Sequence, residues 1–355
     1  MAALIVFCSF LLINVFHSSA RKPPFSWDTV PVYNHLCNKS GPFNEEAVHI
    51  LTKFAMVTIE KGQGSDVSDC CAEDKIVAAA KQIKAANSSV YTLFYYNSVL
   101  DWNQYRMHQL FLKHPDWWLK NASGDPVHIP GDGSFKQPKE GMLVFDFSQE
   151  EVRNFWLSDC INATKTGSIE GCFADRAGED SFKKNSLTKD KEEAYSKGHV
   201  QVLQDLQRAL GDNVLIANND LVPGVGATMI EGFGADENSI KHLQESSKQG
   251  KLVQAHAGYH PDGQDNHCKN ITNSLAAFLI GAGNYSYYGC SRGWSVSPSN
   301  MDWLVWHPEY DKPLGKPMGP ATKQGDVYTR HFAAGTVVTF DVKTNQGNIT
   351  WGSHQ

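Results

Sequence analysis

Short apolar runs recur eight times along this chain, with helical patterns filling the gaps, and that alternation constrains the fold more than any other feature. The runs fall at residues 30–34, 54–60, 91–97, 171–175, 214–218, 227–231, 252–256 and 276–287; in the last, a helix over 271–280 leads into the strand. Most are near-continuous in apolar residues rather than alternating, as strands buried on both faces are. Between them, Asn44 is placed to cap a helix carrying Ala47, Val48, Ile50 and Leu51, and residues 72–86 put Ile76, Ala80 and Ile83 on one face. "SQEE" from Ser148 reads as a capping box, with Glu151 at the third helical position before Val152, Phe155 and Trp156. His199, Leu203, Leu206 and Leu210 keep helical spacing up to Gly211, and Ser239 is placed to cap one more helix. Strands alternating with helices in this way predict an α/β fold, a (β/α)8 TIM barrel. An open doubly wound sheet competes, but no GxGxxG or P-loop follows an early strand.

The texture changes near residue 296. "VYTRHF", "AAG" and "TVVTFDV" read as a β-hairpin, and "NITW" as a further strand. The predicted organisation is a signal peptide over 1–20, the barrel over 21–295, and a small C-terminal β-rich extension packed on the barrel over 296–355.

The first twenty residues are almost wholly apolar up to Ser18, Ser19 and Ala20, which offer a small-residue cleavage site. This is the layout of a secretory signal, although no Lys or Arg precedes the apolar run. Seven Asn-x-Ser/Thr sequons, at Asn38, Asn87, Asn121, Asn162, Asn270, Asn284 and Asn348, fit a secreted, extracellular glycoprotein. Cys8 falls in the signal, and the other cysteines suit disulfides in an oxidising compartment. The expected pairs are Cys37 with Cys70 or Cys71, Cys160 with Cys172, and Cys268 with Cys290. A net charge of −6 without a basic run argues against nucleic acid or an anionic membrane surface as partner. A monomer is expected.

In a barrel of this type the chemistry lies at the carboxyl ends of the strands. Those ends carry Glu60 with Lys61, Tyr96 with Asn97, Asp175 with Arg176, Asn218, Asp220, Glu231 and His256; Asp146 ends "LVFD". Two acids finish their runs sharply: "GCFAD" ends in Asp175 and "ATMIE" in Glu231. On strands 4 and 6 their backbones would stand about 10 Å apart, twice the spacing of neighbouring strands. Side chains leaning inward would then reach the separation of a glycosidase acid pair, one acid protonating the leaving oxygen and the other attacking the anomeric carbon or activating water. Each of these acids could equally be a helix cap or a salt-bridge partner, and Asp146 could simply organise a loop.

Aromatic residues cluster in the predicted loops and strand ends: Trp102, Trp117, Trp118, Trp294, Trp303 and Trp306, with Tyr95, Tyr96, Tyr287 and Tyr288. Flat rings suit the apolar faces of sugars, although most tryptophans are packing residues. There is no GxSxG elbow and no HExxH motif, and "HPDGQDNH" over 260–267 matches no calcium or zinc loop. No metal and no cofactor are expected.

"VFDFSQEEVRNFW", "GCFADRAGED" and "EYDKPLGKPMGPATKQGDVYTRHFAAGTVVTFDV" resemble the hypothetical glycoside-hydrolase-like TIM barrels, which are similar in turn to endo-α-1,4-polygalactosaminidase-type barrels. The resemblance spans most of the chain, roughly residues 25–342. It implies a retaining architecture with Asp175 as nucleophile and Glu231 as general acid/base. The expectation is a secreted glycoside hydrolase acting on O-glycosidic bonds of a polysaccharide or glycan. Glu60, Lys61, Tyr96, Asn97, Asp146, Arg176, Asn218, Asp220 and His256 are its candidate substrate-binding residues. Two alternatives stand beside it: a catalytically inactive barrel acting as a carbohydrate-binding or extracellular matrix protein, and a polysaccharide lyase.

Overall fold

The computed structural model describes residues 22–130, 138–178, 187–258, 268–296 and 304–353. Eight parallel strands form its centre: β1 (Tyr33–Asn38), β2 (Met56–Ile59), β3 (Tyr91–Asn97), β4 (Gly171–Asp175), β5 (Leu215–Asn218), β6 (Ala227–Glu231), β7 (Leu252–Ala257) and β8 (Ser286–Cys290). They pair in chain order. The two edges meet where Val32 bridges Tyr288 and the Tyr288 N–H donates to the Pro31 carbonyl at 2.9 Å, which closes the barrel. Closure pairs the first and last of these eight strands with each other, and the short strand Ser295–Val296 pairs with the far end of β1.

Helices α1 (Glu45–Leu51), α2 (Ala72–Ala86), α3 (Arg106–Phe111), α4 (Glu150–Thr164), α5 (Lys189–Leu210), α6 (Glu237–Lys248) and α7 (Thr272–Gly281) lie in the links. The link from β5 to β6, residues 219–226, is a turn without a helix. Asn44 caps α1 by accepting from the Ala47 N–H at 2.8 Å. Two expected caps are corrected. Ser148 does not cap α4; its hydroxyl donates to Asp146 Oδ1, and the N-cap position falls on Gln149, whose side chain makes no cap hydrogen bond. Asp236 caps α6 instead of Ser239, whose own N–H it accepts at 2.9 Å. In each case a carboxylate nearby is the stronger acceptor.

Beyond the barrel, the expected hairpin grows into a four-stranded antiparallel sheet: β9 (Thr322–Gln324), β10 (Val327–His331), β11 (Val337–Asp341) and β12 (Gln346–Thr350). Buried Arg330 pins it to α7 by donating to the Leu279 and Ala282 carbonyls at 2.8 and 2.7 Å. These are orphan acceptors at a helix C-terminus, where a cation fits best.

Disulfides join Cys160 to Cys172 and Cys268 to Cys290 as expected, the first tying α4 to β4. The pairing of Cys37 is corrected. Cys70 bonds its neighbour Cys71, while Cys37 stays free and buried within β1, its Sγ turned to the Trp294 carbonyl at 3.3 Å. The expected signal segment and the loop 260–267 lie outside the described residues, as does Trp303.

One glycine makes the packing of α5 possible. Gly198 sits mid-helix, where Ala would ordinarily be favoured by about 1 kcal/mol. A Cβ there would land on the Phe147 carbonyl in the segment that leads into α4. Gly198→Ala is therefore expected to destabilise the fold by about 1–3 kcal/mol, against the helix-propensity sign. Urea denaturation of the two proteins checks this; an alanine variant as stable as the wild type would show that α5 does not seat there.

Candidate active site

Side chains alternate along a strand, so one inward residue on each barrel strand fixes the rest. The interior is packed by Tyr33, Met56, Tyr91, Leu93, Tyr95, Phe173, Ile216, Met229 and Tyr287. Stepping by two toward the carboxyl ends puts His35, Glu60, Asn97, Asp175, Asn218, Glu231 and His256 on the same inward face. The barrel thus delivers a ring of polar side chains to one end, above an apolar plug.

Asp175, at the end of β4, accepts four hydrogen bonds. Oδ2 takes the Tyr95 hydroxyl at 2.5 Å and Asn97 Nδ2 at 2.9 Å. Oδ1 takes Asn218 Nδ2 at 2.9 Å and the Arg176 N–H at 2.8 Å. Arg176 adopts φ 58°, which turns the chain sharply after the strand. Asn218 ends β5, between β4 and β6, and its Nδ2 also donates to Glu231 Oε2 at 2.6 Å. One nitrogen bonded at 2.9 and 2.6 Å puts the two carboxylate oxygens no more than about 5.5 Å apart. Asn219 holds Glu231 from the next position, accepting its N–H at 2.9 Å and donating to Oε2 at 3.4 Å.

The two acids are pushed in opposite directions. Burial alone would raise the pKa of Asp175, but the Lys61 ammonium, the Tyr95 and Asn218 hydrogen bonds and the Arg176 charge outweigh it and hold the carboxyl below its usual range. Glu231 is raised to about 7, first by burial, then by the negative charge of Asp175. Divergent pairs of this kind mark acid/base assignments.

The remaining candidates divide. Glu60 and Lys61 reach the site: Lys61 Nζ lies 3.2 Å from Glu60 Oε2 and 3.3 Å from the Tyr95 hydroxyl, and Glu60 Oε1 lies 3.4 Å from His35 Nε2. His256 pairs in register with Glu231. Its Nε2 faces the Ser291 carbonyl and its Nδ1 accepts from Tyr33, and burial, with the charge of His35, lowers its pKa to about 3, so the ring stays neutral. Asp220 stands at the rim beside Gly178 and accepts the Leu221 N–H at 2.8 Å. Two expected site residues, Tyr96 and Asp146, lie away from the ring. Tyr96 points outward and stacks on Trp156 of α4 with centroids 5.1 Å apart, because Asn97 and Tyr95 take the inward positions. Asp146 organises the entry to α4, accepting from Ser148 and Gln149.

His35 is a site neighbour that reading the strand ends missed, and Tyr95 stood there only as one of the aromatic residues. Alternation from Asn97 would have selected Tyr95 over Tyr96. Of the aromatic residues, half-buried Trp294 lies across the barrel mouth between the rings of His35 and His256, at 4.6 and 4.3 Å. Trp117 and Trp118 pack on Phe111, and Trp306 packs on Phe54. Among the described residues no group of three or more His, Cys, Asp or Glu is placed to hold a metal ion, and no helix is long and apolar enough to cross a membrane.

The model of hypothetical glycosyl hydrolase family 15 matches residues 84–336, well over half the chain. The chain belongs to this glycosyl hydrolase family. The matched region contains both Asp175 and Glu231. The fold is similar to that of the GH36 alpha-galactosidase AgaA of Geobacillus stearothermophilus, with 14% identity and a TM-score of 0.50 over 88% of this chain and 47% of that one. It is also similar to the noncanonic maltogenic alpha-amylase AmyB of Thermotoga neapolitana, with 11% identity and a TM-score of 0.50 over 92% and 94% of the two chains. A curated relative, the 1,4-alpha-glucan branching enzyme GlgB 2 of Streptomyces coelicolor, is 36% identical over 61 residues. That stretch is 17% of this chain and 8% of the enzyme, so the chain spans less than a tenth of that relative.

The raised pKa of Glu231 has a sign that a stability measurement can read. Against an ordinary value of 4.5 in the unfolded chain, burial and the charge of Asp175 raise this carboxyl to about 7 in the native chain. Between those pH values the native state binds the extra proton, so stability falls as pH rises and stays down above about 7. Glu231→Gln lacks that slope. Its stability relative to wild type is expected to grow by on the order of 2 kcal/mol between pH 4.5 and 8, measured by urea denaturation. A difference independent of pH would mean that Glu231 titrates normally.

Proposed function

We propose that this glycosyl hydrolase family member is a secreted enzyme that cleaves O-glycosidic bonds of a polysaccharide or glycan with retention, using Asp175 and Glu231. The observation that carries the reading is the single Asn218 nitrogen hydrogen-bonded to both carboxylates, which keeps the two bonded oxygens within about 5.5 Å and leaves no room for a water held between the acids. Retaining pairs stand about 5–5.5 Å apart, whereas inverting pairs stand about 6.5–9.5 Å apart to admit a water.

In the first step an ionised Asp175 oxygen bonds to the anomeric carbon as the bond to the leaving oxygen breaks, and that oxygen takes the Glu231 proton. In the second, Glu231 takes a proton from water as the water oxygen attacks the anomeric carbon, releasing Asp175 and restoring both groups. A half-buried neutral acid and a half-buried anion side by side are what these steps require. The non-catalytic alternative calls for an Asp175 turned away or locked in a salt bridge; Asp175 points inward and its direct partners are neutral donors. A lyase calls for a basic cluster around Tyr96 and His256 without facing acids. Tyr96 faces the helices, and His256 is neutral.

The test is hydrolysis of a panel of polysaccharides and aryl glycosides. Asp175→Asn is expected to abolish turnover. Glu231→Gln is expected to lower kcat by about 10²–10⁴-fold on natural linkages, and by much less on aryl glycosides whose acidic leaving groups need no proton. The wild-type rate is expected to fall as pH rises through about 7, where Glu231 loses its proton. Product of inverted configuration, or full activity in both variants, would refute the assignment.

Secretion is tested by the sequons. Asn162, Asn270 and Asn348 are exposed and followed by Thr at the third position, whereas Asn38 is buried, with Nδ2 donating to the Pro42 carbonyl at 2.7 Å. Glycopeptide mass spectrometry of the protein made in its secreting host is expected to find glycans on the first three and none on Asn38. Three bare sites would overturn the secretory reading.

A further inference from the structure

The strand-end reading offers Lys61 as a cation for the substrate. We propose instead that Lys61 is a positioning residue that acts on Asp175 through the Tyr95 hydroxyl; this rests on the reading of Asp175 as the nucleophile. Its side chain is only 5% exposed. Nζ is spent inside the protein, on Glu60 Oε2 at 3.2 Å and on the Tyr95 oxygen at 3.3 Å. The ammonium also faces the rings of Tyr95 and Trp102, 4.6 and 4.7 Å from their centroids. A buried lysine so enclosed has little left to offer a sugar.

Its effect on Tyr95 is directional. A phenol has one hydrogen to donate and two lone pairs to accept with. Lys61 Nζ and Asn97 Nδ2 both point donors at the Tyr95 oxygen, at 3.3 and 3.4 Å. The acceptor positions are then filled, and the one proton is left for Asp175 Oδ2, 2.5 Å away. Oδ2 is fixed by two donors of one rigid strand, β3. Oδ1 is held by the Arg176 N–H and by Asn218, and the Asn218 amide already has a second acceptor in Glu231. Lys61 contributes the positive charge behind this arrangement, balanced by Glu60 so that the barrel mouth does not hold a bare buried cation.

The charged and titratable groups around the pair are Lys61, Glu60, Tyr95, Arg176 and Glu231 about Asp175, and Glu60, Tyr95 and Cys37 about Lys61. Of these, the Lys61 charge, the Tyr95 hydrogen bond and the Arg176 charge favour the ionised carboxylate. A merely structural Lys61, present only to neutralise Glu60, would leave Asp175 as it is when both are removed.

The experiment titrates Asp175 directly, by carbon NMR of protein labelled at the aspartate carboxyls, with the resonance assigned by its loss in Asp175→Asn. Lys61→Gln is expected to raise the Asp175 midpoint by about one to three pH units, the range for losing an opposite charge at this distance. Lys61→Arg is expected to restore most of the shift. Tyr95→Phe, with Lys61 in place, is expected to raise the midpoint as well, and it serves if Lys61→Gln does not fold. An Asp175 midpoint unmoved in folded Lys61→Gln, or in Tyr95→Phe, overturns the proposal. The readout needs no turnover, so a shifted midpoint in a protein that hydrolyses nothing would keep the linkage and sink the glycosidase reading instead.

Discussion

Two half-buried carboxyl groups at the mouth of a barrel, with one oxygen of each within about 5.5 Å of the other, cannot both be charged at little cost. At an effective dielectric of about 20, two unit charges at that distance repel by about 3 kcal/mol. The fold resolves this by giving them unequal surroundings. Asp175 receives four donors and a nearby ammonium, so it keeps the charge. Glu231 is pushed up by burial and then by the field of Asp175, which together outweigh the Asn218 hydrogen bond, so it keeps the proton. Asn218 touches both and fixes their separation. A two-step displacement needs this inequality, and it follows from which side chains the flanking strands project rather than from the acids themselves.

Strand alternation is what makes such a ring possible. Each barrel strand contributes one inward residue at its carboxyl end, and consecutive strands place those residues side by side. The layer below is apolar, packed by Tyr33, Leu93, Phe173, Ile216 and Met229, and gives the ring a dry floor. The Cys160–Cys172 disulfide braces β4 from outside, three residues before Asp175. Rigidity of the strands thus becomes precision of the site, as preorganised catalysis demands.

Much of the barrel was legible because strands buried on both faces read as apolar runs. The runs at 91–97, 171–175 and 227–231 coincide with β3, β4 and β6 to the residue. The first strand was read at 30–34 but spans Tyr33–Asn38. It runs on through Asn34, His35 and Asn38, polar residues that lead toward the barrel mouth, and their polarity hid it. The C-terminal sheet was half visible: β11 buries Val338 and Phe340 in alternation and β10 buries Tyr328 and Arg330, while β9 is exposed along its length. At the site, Asp175 and Glu231 stood out as acids ending apolar runs. Tyr95 did not, because "YYN" offers two tyrosines and only alternation chooses between them. Asn218 was legible as a strand end but not as a bridge, since nothing local to β5 reveals which acids flank it. Cys37 could not be placed by spacing, because the adjacent Cys70 and Cys71 satisfy each other.

The central claim is that Asp175 takes the glycosyl group while Glu231 handles the proton. Covalent trapping tests it most directly: incubation with a panel of glycosidase-directed epoxide and aziridine sugars, followed by peptide mass spectrometry. The account predicts one adduct, on the peptide carrying Asp175, formed faster below about pH 7, where Glu231 can protonate the opening ring, and absent from Asp175→Asn. An adduct on Glu231, Glu60 or any other carboxyl, or one that persists in Asp175→Asn, would contradict it.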